Sequence, residues 1–150
     1  MKSINQYILE KLADNSNYKY FPKTKKELKS IIDKRIKEEG DEADLNDIDV
    51  SKITDMSYLF SGYRKFNGDI IKWDVSNVTD MQGMFYECES FNQDISNWDV
   101  SNVENMEYMF CECAKFNSNI SNWDVSNVNK TKDIFYRCRI KENYKPKFKN

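Results

Sequence analysis

The chain has 150 residues, 39% hydrophobic, 14% aromatic and 32% charged, with 23 basic against 25 acidic side chains and no histidine. That length fits about one domain, and the aromatic content, with only four glycines and two prolines, excludes a disordered, collagen-like or linker chain. Without histidine, the chain alone cannot build Ser-His-Asp or Cys-His catalysis, imidazole metal sites or histidine pH switches.

At the amino terminus a charge arrives at Glu10 before an apolar run of signal-peptide length can form. This predicts no secretion signal, no membrane span, and a cytoplasmic protein whose four cysteines are thiols. Residues 3–13 place Ile4, Ile8, Leu9 and Leu12 on one side of a first predicted helix. Thr24-Lys25-Lys26-Glu27 is a capping box that opens a second. Leu28, Ile31, Ile32 and Ile36 supply its apolar face, and Gly40 fits its end. Residues 1–44 are thus expected to form an N-terminal helical cap over the rest of the chain.

From residue 45 the chain is repetitive. Trp73, Trp98 and Trp123 lie 25 residues apart, as do Phe60, Phe85, Phe110 and Phe135, the Phe-Asn pairs at Phe66, Phe91 and Phe116, and the Asp-Val-Ser tripeptides that begin at Asp49, Asp74, Asp99 and Asp124. Four units are read at 45–69, 70–94, 95–119 and 120–144. Within a unit, Trp73-Asp74-Val75 alternates apolar and polar, the period of a short strand. Met81, Met84, Phe85 and Cys88 follow at i, i+3, i+4, i+7, which is one face of a two-turn helix. The expected fold is an α/β repeat solenoid, leucine-rich-repeat-like, with short parallel strands on one face and short helices on the other. Its tryptophans are expected to form an internal ladder, each contributing about 4 to 6 kcal/mol before entropy is subtracted.

The last unit decays. Thr131 replaces the expected Met, Lys141 replaces Phe, and 145–150 is a basic tail. Residues 1–44 carry 10 basic and 9 acidic groups, 45–138 carry 8 and 15, and 139–150 carry 5 and 1. The small net charge therefore hides an acidic middle and a basic end.

The run Asn-Trp-Asp-Val-Ser-Asn-Val-x-x-Met-x-x-Met-Phe, with Phe-x-x-Cys at Phe85-Cys88, Phe110-Cys113 and Phe135-Cys138, resembles the 25-residue repeats of the BspA-like surface proteins and the mycoplasma-type lipoproteins, grouped as domain of unknown function 285. The resemblance covers residues 45 to about 138. It implies a leucine-rich-repeat-like solenoid that binds proteins, displayed on the cell surface in many members, and it implies no enzymatic activity.

Three groups of residues are candidates for chemistry. The row Asp49, Asp74, Asp99 and Asp124 is expected to point outward, where two carboxylates about 5 Å apart repel by roughly 0.8 kcal/mol in water. Each Asp either accepts amides of the turn next to it or belongs to an acidic surface for a basic partner, with a calcium site as a third reading. Cys88, Cys113 and Cys138 read as packed core thiols, close enough to pair if oxidised. Cys111 is expected to face outward, so that Cys111-Glu112-Cys113 does not make a metal site; no metal or cofactor is expected. The basic residues of 23–37 read as a solvated helix face with acids interspersed, and no nucleic-acid partner is expected.

The function expected from these features is a non-catalytic protein-interaction module. Asp47, Lys72, Asn97 and Asn122, beside the Asp row, would form a polar face about 15 Å long. An adhesin-like surface protein exported by another route is the alternative.

Overall fold

A computed structural model describes residues 1–6, 8–9 and 17–149. Helix α1 spans Lys25–Glu39. Its N-cap Thr24 accepts the amide of Glu27 at 3.2 Å, and the Glu27 carboxylate accepts the amide of Lys23 at 2.8 Å. At the other end the Gly40 amide donates to the Ile36 carbonyl, with Gly40 at φ 91°. Leu28, Ile32 and Ile36 join the core, and Ile31 packs beside them. Of the expected helix over 3–13, residues 4–6 and 8–9 are helical, with Ile4, Ile8 and Leu9 exposed; the rest, Leu12 included, lies outside the described residues. A 3-10 turn at Glu142–Tyr144 follows near the end of the chain.

The α/β solenoid expected from the sequence is not what forms. Among the described residues there is no strand and no sheet, and the repeats hold no α-helix, so the leucine-rich-repeat-like architecture is overturned. Where a strand was expected, the amides turn back within the unit: Trp73 donates to the Ile70 carbonyl and Val78 to Val75. With the Trp73 amide turned back and the Lys72 amide taken by the Asn46 side chain of the preceding unit, no ladder of main-chain bonds forms here.

Where a helix was expected, alternate amides leave the unit altogether. Met81, Gly83, Phe85 and Glu87 donate to the carbonyls of Asn105, Glu107, Met109 and Cys111 in the next unit, while Met84, Tyr86 and Cys88 donate to carbonyls three residues back. An α-helix needs the Phe85 amide on Met81, and that donor is already committed. Backbone sign reinforces this. Tyr58, Gly83, Tyr108 and Asp133 share one register position at φ 51° to 58°, and Gly62, Glu87, Glu112 and Arg137 share another at φ 55° to 81°. Two left-handed residues per unit break any helix. At Gly83 a Cβ would also strike the Tyr58 ring, which fills the space a side chain would take.

The units nevertheless stack in register. Isolated parallel bridges join Asp55 to Asp80, Asp80 to Asn105 and Asn105 to Lys130. Phe60, Phe85, Phe110 and Phe135 form one column of rings with centroids 5.6–5.8 Å apart, and Phe66, Phe91 and Phe116 form a second at 5.9–6.0 Å. Trp73, Trp98 and Trp123 are buried against Phe60, Phe85 and Phe110, so the ring columns themselves are built of phenylalanine. Each indole N–H donates to a carbonyl of the preceding unit, on Leu45, Ile70 and Ile95 respectively, at 2.9–3.3 Å. Stacked rings, buried Met and Val, and these bonds hold the column together.

Candidate functional site

The Asp row is part of the turn machinery. The Oδ1 atoms of Asp49, Asp74, Asp99 and Asp124 accept the amides of Ser51, Ser76, Ser101 and Ser126, at 3.0–3.1 Å. These are Asx turns, in which a side chain replaces a main-chain acceptor. The Ser101 hydroxyl and amide hold Asp99 below the usual carboxylate range. Ser126 does the same for Asp124. Asp49 and Asp74 are half-buried, and Asp99 and Asp124 are exposed.

Two further Asx rows escaped the sequence reading. Asp44, Asp69, Asp94 and Asn119 cap the amides of Asn46, Ile71, Ser96 and Ser121. Asp55, Asp80 and Asn105 cap those of Ser57, Gln82 and Glu107. Asparagines then tie unit to unit. Asn77, Asn102 and Asn127 donate their amides to the carbonyls of Ser51, Ser76 and Ser101 at 2.6–2.7 Å. Asn67 and Asn92 accept the amides of Asn92 and Asn117 at 2.9 Å. The signal was the Asn next to each of Phe66, Phe91 and Phe116.

The residues beside the Asp row differ in availability. Asp47 is half-buried and gripped by the Arg35 guanidinium at 2.8 and 3.0 Å. Glu39 and Asp47 raise the Arg35 pKa, overcoming the opposing effect of its burial. Lys72, Asn97 and Asn122 are exposed. Polar hollows lie at the two ends of this row. One, of about 350 Å³, includes Asp44, Asp47 and Lys72; the other, of about 400 Å³, includes Asp94, Asn119, Asn122 and Tyr144.

The thiols are packed groups. Cys88 and Cys113 donate to the carbonyls of Phe60 and Phe85, and burial pushes both well above the usual thiol range. Cys138 is half-buried, with a longer contact of 3.6 Å to the Phe116 carbonyl. Cys111 does not face outward as its register suggested; it is 4% exposed. It stands between the Tyr86 and Tyr136 positions of its column. Among the described residues no three His, Cys, Asp or Glu side chains are placed to hold a metal ion.

The basic helix face is partly occupied. Arg35 is buried, Lys25 contacts Asp55 and Ser57, and Lys29 pairs with Asp33. Among the described residues no helix is long and apolar enough to cross a membrane.

These repeats match a known family model, described as Mycoplasma protein of unknown function, DUF285, over residues 26–147. The chain belongs to the DUF285 family. No curated protein and no solved structure matches it. The DUF285 match begins inside α1 and runs through the fourth unit into the tail, so it takes in the helix as well as the stack.

Proposed function

We propose that this DUF285 protein is a non-catalytic protein-interaction module that presents the row Lys72, Asn97 and Asn122, with Asp99 and Asp124 beside it. The observation that carries this reading is the division of labour among polar side chains. Every buried side-chain N or O atom of the described residues has a partner within the protein. All four Asp of the row serve turns, Asp99 and Asp124 while exposed, and Asp47 serves Arg35. The amide ends of Asn97 and Asn122 have no such partner among the described residues and stand exposed at matching positions of successive units. Arrays of this kind bind a partner with affinity concentrated in a few side chains. The BspA-like resemblance supports protein binding without adding a partner's identity.

The test is a pull-down from the native host comparing wild type with a K72E/N97R/N122R variant of unchanged circular dichroism. A specific partner lost in the variant is the expected result; full retention overturns the reading. We place this activity in the cytoplasm, and cell fractionation that recovers the protein at the surface would replace that placement with the adhesin-like alternative.

A further inference from the structure

The pattern of amide use inside the stack exposes a second surface, at its far end and separate from the polar row. In the first three units, four alternate amides donate to the next unit along. Met56, Tyr58, Phe60 and Gly62 reach the second unit, and Met106, Tyr108, Phe110 and Glu112 reach the fourth. The matching positions of the fourth unit are Thr131, Asp133, Phe135 and Arg137. Their amides have no acceptor among the described residues. Thr131, Asp133 and Arg137 are exposed and Phe135 is half-buried, so the row is reachable. A row of free main-chain donors is a template for an added segment.

The surroundings define what fits. A groove of about 600 Å³ lies beside the row, lined by Thr131 and Phe135 together with Glu142 and, from the tail, Lys145, Lys147 and Lys149, so that one acid stands among three lysines. Residues 129–149 carry eight basic side chains against two acidic ones. We propose that this end docks an extended acidic segment of a partner protein, which adds one more layer by offering its carbonyls to Thr131, Asp133, Phe135 and Arg137. The stack contains the template for such a segment. Residues 105–112 sit on the equivalent edge of the second unit, accept four amides at 2.8–3.0 Å, and carry Glu107 and Glu112.

A second copy fits poorly. End to end, two such faces set donor against donor and cation against cation. The opposite end of another copy is closed by α1, whose Lys25, Lys26 and Lys29 carry the same sign.

The probe is a synthetic peptide of residues 103–114 with C111S and C113S, titrated into the isotopically labelled full chain and followed by amide NMR. Shifts concentrated at Thr131, Asp133, Phe135 and Arg137 are expected. Replacing the peptide's three glutamates by lysine (E104K, E107K, E112K) is expected to weaken binding at least about fivefold, as is K130E/K132E in the protein. The lysine peptide keeps the test valid if that variant fails to fold. No shift at these amides with about 1 mM wild-type peptide overturns the proposal. So does equal binding of the two peptides, or a response confined to Lys72, Asn97 and Asn122. The polar-row variant is expected to bind the peptide unchanged, so this proposal and the proposed function fail separately.

Discussion

The two ends of the stack finish it in opposite ways. At the first unit α1 buries Leu28 and Ile32 fully, and Arg35 reaches both Asp47 and the Asp44 carbonyl. Lys25 donates to Asp55 and Ser57, and the Tyr63 hydroxyl donates to Asp33. The far end has much less. Ile120 donates to the Tyr144 carbonyl, Lys141 to the Asn117 side chain, and four amides beyond them have no acceptor among the described residues. One amide row of every internal unit donates forward, so at the first end the carbonyls of Asp55, Ser57, Leu59 and Ser61 have no preceding unit to serve, and at the last end the amides of Thr131, Asp133, Phe135 and Arg137 have no following unit to reach.

The sharpest test of this contrast compares the middle of the stack with its end. Trp98→Ala removes a buried indole and its bond to Ile70, with an expected loss of about 3–5 kcal/mol in urea unfolding. Phe135→Ala, at the half-covered end, is expected to lose about 1–3 kcal/mol; equal losses would mean the end is packed as tightly as the middle. Next in size is the covered end itself. Arg35→Met strands a half-buried Asp47 and the Asp44 carbonyl, for an expected loss of about 1–3 kcal/mol. Lys145→Met breaks the pair with the exposed Glu142 and the cation–π contact with the Phe135 ring, and is expected to lose less than about 1 kcal/mol.

A smaller effect comes from acid. Burial raises the Asp55 pKa, but the bonds from Ser57 and Lys25 outweigh it and leave the group below its ordinary value. A depressed carboxylate stabilises fully above its unfolded pKa, about 3.9, and that stability is lost as pH falls through the folded value. The protection of α1 amides, taken relative to their intrinsic exchange rates, is therefore expected to fall as the pH drops below about 4, and D55N should flatten the response. At the far end that register position is Lys130, which has no carboxylate to titrate. Least perturbing is thiol labelling of the native protein. Iodoacetamide is expected to modify Cys138 and spare Cys88 and Cys113 until unfolding, read by mass spectrometry.

The register of the fold is written plainly in the sequence, since Trp, Phe and Asp-Val-Ser recur every 25 residues and each marks a repeated position. The type of element is not. Met81, Met84, Phe85 and Cys88 are all buried, as one helix face would be, yet the segment reaches the same burial by alternating local and inter-unit amides. Periodicity reports which side chains are inside and is silent about where the amides go. Gly62 and Gly83 carried the missing clue, because glycine at two fixed positions of a glycine-poor chain suits a left-handed backbone better than a helix. The Asp row was legible as a turn because Asp before Ser is a local pattern. The grip of Arg35 on Asp47 and the burial of Cys111 were not, since both depend on neighbours brought together only by folding. The outward amides of the fourth unit belong to no residue type at all.

The forward direction of the amide rows also gives the molecule a grammar for changing length. Every internal junction uses the same bonds, so a 25-residue segment duplicated in frame would find the joints it needs already made on both sides. Growth of this kind alters reach and the number of polar positions on display while leaving both termini of the column, and whatever they hold, as they were.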